Sequence, residues 1–259
     1  MPLKSIRAEL EARADAGDAE AASRLFRDTQ RCADVRRINT SIPRLARRAL
    51  DQKSDGLSAE VLSARDKMLA SYDKQLNFAR DNAPLCDGLL ADETDQIVPV
   101  ALKAARLGDT LAADCYINSG MFGAPAGLID HPEWLADYKQ NALSIANAAI
   151  DHGDWSMVSM LATAYNSNFQ TLLGQVIGHD PVQMYRYLKL RSLGTKSGGW
   201  DYFNDQLNAI AKDLSAADKA AGDAWAQQAF QTAFHATPPA TPPIPGINIS
   251  GSACRSDGL

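Results

Sequence analysis

Apolar residues recur along this chain in steps of three and four. Leu3, Ile6 and Leu10 share one face, and Ala22, Leu25, Phe26, Thr29 and Cys32 a second. Val61, Met68, Leu69, Tyr72, Leu76 and Ala79 line a longer segment. Trp134, Tyr138, Ala142, Ile145 and Ala149 mark another, and Trp200, Phe203, Leu207, Ile210 and Leu214 a further one. This is the period of an amphipathic helix that buries one stripe. Strand-like alternation is confined to Ile247-Asn248-Ile249. The pattern predicts an all-α chain.

Start and stop signals agree with that reading. Asp180-Pro181 sets an N-cap before a proline at the first helical position, where the missing N–H costs nothing. Ser215 followed by Asp218 resembles a capping box, and Pro99 suits a first turn. The dipeptide Gly-Asp recurs as Gly17-Asp18, Gly108-Asp109 and Gly153-Asp154, each time between two apolar-periodic segments. Glycine takes the left-handed conformation that ends one helix, and aspartate caps the free N–H groups of the next. Two residues therefore suffice to turn one helix into an antiparallel partner. A fourth pair, Gly222-Asp223, lacks a flanking break and reads as helix interior. Gly174 and Gly178, four apart, read as positions of close helix packing.

A helix ending in Gly-Asp before a small-residue helix start resembles the Sel1-like and tetratricopeptide repeat families. Asp180-Pro181-Val182-Gln183-Met184-Tyr185-Arg186-Tyr187-Leu188 is similar to the Asp-Pro-x-x-Ala-Tyr-x-Tyr-Leu segment of Sel1-like repeats, with Met184 in place of the small residue. The likeness covers residues 3–33, 95–120 and 135–194. Gly-Asp spacings of 91, 45 and 69 residues depart from a period near ~34, and residues 39–91 carry no repeat signature. The resemblance implies an irregular α-solenoid of antiparallel helix hairpins. An extended, proline-rich C-terminal tail is expected to follow. The expected divisions are an N-terminal helical half (1–120), a C-terminal half (121–234) and the tail (235–259). The Gly/Pro-rich stretch 119–132 reads as the connection, and the halves can equally form one continuous solenoid.

Composition adds bounds. Abundant alanine and sparse Val, Ile and Thr favour helix over sheet. No apolar run approaches the ~20 residues of a membrane-spanning helix. Residues 1–50 hold eleven Lys/Arg against seven Asp/Glu, whereas the remainder holds fifteen against twenty-four. Cys32, Cys86, Cys115 and Cys254 contain no CxxC pair and no zinc spacing. They allow two disulfides in three connectivities. Cys32 with Cys86, both expected near helix ends, and Cys254 with Cys115 is one choice; four buried thiols packing as small apolar groups is the other. Pairing cysteines point to an oxidising compartment, the bacterial periplasm. The start, Met1-Pro2-Leu3-Lys4-Ser5, has no apolar signal region and points to the cytoplasm or to a mature segment. The periplasm is the expectation adopted.

No constellation for catalysis emerges. HExxH, P-loop and GxSxG motifs are missing, and His131, His152, His179 and His235 all have bland positions beside loops and caps. The reading is therefore a non-enzyme without cofactor or metal. Arg31, Arg36, Arg37, Arg44, Arg47 and Arg48 cluster, the last three on one helix face. The chain is acidic, with a pI near 5.4, and no aromatic interleaves the arginines, so nucleic acid is disfavoured as a partner. Candidate partner-binding residues are Arg36, Arg37, Arg44, Arg47, Arg48, Tyr185, Arg186 and Lys189. Tyr185 and Tyr187 serve equally as inter-helix core. The expected function is a non-catalytic protein–protein interaction module that uses a solenoid groove. Alternatives are an inhibitor or immunity-type protein that occludes a partner's active site, and an enzyme with an unrecognised groove site.

Overall fold

The structure, a computed structural model, describes residues 1–52, 56–118, 130–166, 168, 171–194, 202–239 and 254. Twelve α-helices and no strand occur among them. They are α1 (Leu3–Asp15), α2 (Ala19–Asp51), α3 (Ala59–Asn82), α4 (Ala91–Asp95), α5 (Ile97–Arg106) and α6 (Thr110–Asn118). After residue 130 follow α7 (Pro132–Asp151), α8 (Trp155–Ala164), α9 (Leu172–Ile177), α10 (Pro181–Leu193), α11 (Tyr202–Ile210) and α12 (Ala216–Thr232). A 3₁₀ turn, Ala83–Leu85, follows α3.

The three Gly-Asp junctions share one hydrogen-bond pattern. Gly17, Gly108 and Gly153 have φ of +92°, +94° and +84°. Each glycine N–H donates three residues back, to the carbonyls of Ala14, Ala105 and Ile150. Each aspartate N–H donates five residues back, to Arg13, Ala104 and Ala149. That pair of bonds defines the Schellman stop. The same aspartate then starts the next helix: Asp18 Oδ1 accepts from the Ala21 N–H, Asp109 Oδ1 from Ala112, and Asp154 Oδ1 from Ser156 and Met157. One residue thus serves the donors of a new helix while its own N–H satisfies a carbonyl of the old one. Gly222-Asp223 lies inside α12.

Packing follows the order of the chain. α1 lies on α2, α2 on α5, α5 and α6 on each other and on α7, α7 on α8, α8 on α10, and α10 on α12. One continuous core runs from Leu3 to Phe234, and the Trp134 to Ala149 stripe is buried in it. Arg191 of α10, itself buried, donates to Ser159 Oγ of α8 at 2.6 Å. A Cβ at Gly174 would lie 2.7 Å from the Ala164 carbonyl oxygen, so α9 and α8 approach through that glycine. Cys32 is bridged to Cys86 and Cys115 to Cys254. The second bridge fastens position 254 to α6.

Three expectations need correction. Gly178 is not a close-packing position: it is the C-cap of α9 with φ +77°, and a Cβ there would meet nothing within 4 Å. Cys32 is not near a helix end: α2 runs 33 residues and carries Cys32 in its interior. The helix continues through Pro43 because that residue and Asn39 are both exposed, so solvent serves the carbonyl that the proline leaves without a donor. The stripe Val61 to Ala79 is helical, but its face is not buried. Only Ala79 of α3 is buried, and Val61 is 48% exposed. The cause is that α3, among the described residues, packs chiefly on α2 and the 3₁₀ turn. Trp200, residues 119–129, Ile247-Asn248-Ile249 and all the tail beyond 239 except Cys254 lie outside the described residues.

Candidate functional site

Two surfaces remain once the core is accounted for. The first is the arm formed by the distal half of α2 and by α3. Its own small core is Val35, Ile38, Ile42 and Ala79, half-covered by Tyr72, Leu76 and Phe78. The Cys32–Cys86 bridge joins its two strands of chain at the base. Farther out, Leu50 is 67% and Val61 48% exposed. Arg44, Arg47 and Arg48 are exposed on the same half of α2 as Leu50 and form no ion pair among the described residues. Arg36 and Arg37, by contrast, are spent on the fold. Arg36 donates to the Ala91 carbonyl (2.6 Å), Thr94 Oγ1 (3.0 Å) and Asp95 Oδ1 (2.9 Å), which seats α4 on α2. Arg37 pairs with Asp34 at 2.9 Å on its own helix.

The second surface is a cleft of about 510 Å³ between α7, α10 and α12, with α9 at one side. Its aromatic wall is built from helices far apart in sequence. Tyr165 and Tyr187 stack with centroids 5.9 Å apart, and Trp225 meets Tyr187 edge-on at 5.2 Å. Arg186 lies over the Trp225 ring at 3.9 Å, and its buried Nε has no acceptor. No carboxylate pairs with it among the described residues. Asp151 and Asp180 line the same cleft. Asp180 uses Oδ1 to cap Val182 and Gln183 at 2.9 and 3.0 Å. His179 Nδ1 is 2.5 Å from the Tyr165 carbonyl oxygen, which can only accept, so Nδ1 carries the proton.

The phenols here are donors. Burial pushes Tyr187 up to about 12, against the opposing pull of Arg186. Burial also raises Tyr165, with Asp180 adding and Arg186 opposing. Tyr187 Oη donates to Asn147 Oδ1 at 3.0 Å. Tyr185, on the other side of α10, is buried and donates to Asp223 Oδ1 at 2.9 Å, where Lys189 also pairs at 3.0 Å. Tyr185 and Lys189 therefore hold α12 onto α10, and of the α10 candidates Arg186 alone lines the cleft.

A smaller pocket of about 350 Å³ sits at the third Gly-Asp junction and is lined by Asp114, His152, Asp154 and Trp155 among others. Burial first, and then the like charge of Asp154, raise the Asp114 carboxyl to about 7, with a Ser156 hydrogen bond opposing. Asp114 Oδ1 is buried without a partner. Burial also raises Asp154, but the N–H groups of Met157 and Ser156 counter it. Burial thus pushes both carboxyls toward the neutral form, and an ionised Asp154 further opposes ionisation of Asp114.

In sequence His179 stands beside a helix cap, with nothing to connect it to Tyr165, Asn147 or Trp225. No motif links those positions, because three helix crossings bring them together. Among the described residues no group of three or more His, Cys, Asp or Glu is placed to hold a metal ion, and no helix is long and apolar enough to cross a membrane. No family model matches the chain, and no curated protein or solved structure matches it.

Proposed function

We propose that this protein is a non-catalytic protein-binding module, built as an irregular α-solenoid of the Sel1-like and tetratricopeptide kind, that docks an acidic segment of another protein on its α2–α3 arm. Three junctions with one hydrogen-bond pattern and packing in chain order support the solenoid reading. Two disulfide pairs fit an oxidising compartment, and the periplasm is the reading adopted.

One observation carries the binding reading. Arg44, Arg47 and Arg48 form no ion pair among the described residues and share with exposed Leu50 and Val61 an arm whose second helix buries only Ala79. Exposed apolar groups framed by uncompensated charge mark an interaction surface. Two such arms pairing face to face would bring guanidinium groups together, which like-charge repulsion opposes. The occupant is therefore an acidic amphipathic segment of a different protein.

The test compares wild type with R44E/R47E/R48E, both immobilised as oxidised full chains, for proteins retained from native extract. Wild type is expected to retain at least one acidic protein that elutes with salt and that the variant, folded by circular dichroism, does not hold. Identical retained sets would refute the reading.

A further inference from the structure

We propose that the α7–α10–α12 cleft binds the carboxylate end of an apolar amino acid or peptide, with Arg186 as its receptor. The inference is independent of the arm, because the two surfaces share no residue.

Arg186 is poised rather than satisfied. The guanidinium carbon lies 3.9 Å from the Trp225 ring centroid, and none of the guanidinium N–H groups has an acceptor among the described residues. A guanidinium carries paired N–H donors that fit a carboxylate in a bidentate manner. The volume, about 510 Å³, is that of a small-molecule cleft rather than a packing defect. A further ring, Tyr187, lies 5.1 Å from the guanidinium and walls the same space.

The charge inventory selects the ligand. Asp151 and Asp180 share the cleft with Arg186, and neither forms an ion pair among the described residues. Two carboxylates against one guanidinium repel a dianion such as a phosphate monoester. They favour a ligand that presents one carboxylate to Arg186 and an ammonium or peptide N–H groups to the acidic side. Leu143 and Ile177 form the smaller, apolar part of a mostly polar lining and give an aliphatic side chain a place to rest. Free amino acids and chain ends both carry this chemistry.

The experiment is isothermal titration of the oxidised full chain with leucine, with the tripeptide alanyl-alanyl-leucine, and with the C-terminal amide of that tripeptide. At least one free acid is expected to bind, and the amide at least about tenfold more weakly than the tripeptide acid, the size of a charge-assisted pair. Tighter binding of the tripeptide assigns a chain end as the source, and equal or tighter binding of leucine assigns a free amino acid. R186K, which keeps the charge but loses the planar fork, is expected to lose about tenfold and to abolish most of the acid–amide difference. Equal binding of acid and amide to wild type would overturn the proposal, as would no binding of either acid at millimolar concentration. The wild-type comparison needs no variant, so a folding defect in R186K leaves the test intact.

Discussion

Replacing Asp114 by asparagine should flatten the pH dependence of stability and make the protein more stable above neutrality. Asp114 projects from α6 into the pocket at the α7–α8 junction, where Asp154 caps α8. The unfolded chain holds this carboxyl at its ordinary value of 3.8, and the folded chain holds it near 7. The folded state therefore binds the proton more tightly. A raised acid contributes nothing adverse below its unfolded value and costs increasing stability as pH climbs from about 4 to about 7. The full difference corresponds to roughly 4 kcal/mol, and partial hydration of the open pocket reduces this to the order of 2–4 kcal/mol. Asparagine keeps the shape and carries no charge to desolvate or to oppose Asp154.

The assay is urea unfolding of both oxidised proteins at pH 5, 6, 7 and 8, followed by circular dichroism. The informative quantity is the difference between the two proteins, which cancels whatever both have in common. Wild type should lose stability relative to D114N as pH rises. At pH 8, D114N should be the more stable by about 2 kcal/mol. Parallel stability curves would show that Asp114 is hydrated and ionised in the native state, which refutes the assignment of a buried proton to this pair.

The Cys32–Cys86 bridge closes a loop over 54 residues of separation, so C32S/C86S should lose up to about 4 kcal/mol. Amide exchange in that variant should accelerate most in α3, and wild type unfolded without reductant should titrate no free thiol; four free thiols would overturn both bridges. In α12, a Cβ at Gly222 would lie 2.8 Å from Tyr185 Cδ1, and the Asp223 hydrogen bond holds that ring. Overpacking of about 1–3 kcal/mol should outweigh the ~1 kcal/mol that alanine gains in helix propensity, so G222A should lower the melting temperature. A raised melting temperature would mean that α12 does not pack on Tyr185.

Much of this fold is local chemistry and so is legible in the sequence. The Gly-Asp junctions depend on φ, on caps and on bonds within five residues, and the cysteine pairing follows from a small set of choices. What stayed hidden is what helix crossings create. The periodicity of Val61 to Ala79 identifies a helix but not whether another layer covers its apolar face, and among the described residues α2 and the 3₁₀ turn are its main cover. Arg36 and Arg44 look alike in sequence, yet one is consumed by α4 and the other is free of ion pairs among the described residues. The cleft assembles Tyr165, His179, Arg186 and Trp225 from separate elements, and their proximity leaves no periodic trace. Asp154 was legible as a cap, whereas its neighbour Asp114 was not, because the pair forms across α6 and α8.

The arm explains why one disulfide sits where it does. A two-helix hairpin whose own core cluster is four apolar side chains cannot hold its register by burial as the body does. A covalent tie at its base restricts the unfolded alternatives instead, without covering the distal surface. Arg44, Arg47, Arg48, Leu50 and Val61 can then remain exposed while the arm stays formed. Adding apolar packing to stabilise the arm would consume that surface; closing it with Cys32 and Cys86 does not. On this argument C32S/C86S should weaken partner retention at a temperature where the body is still folded, whereas C115S/C254S, whose bridge lies in the body, should leave retention unchanged at that temperature. Equal loss in both variants would detach the arm's closure from the proposed binding.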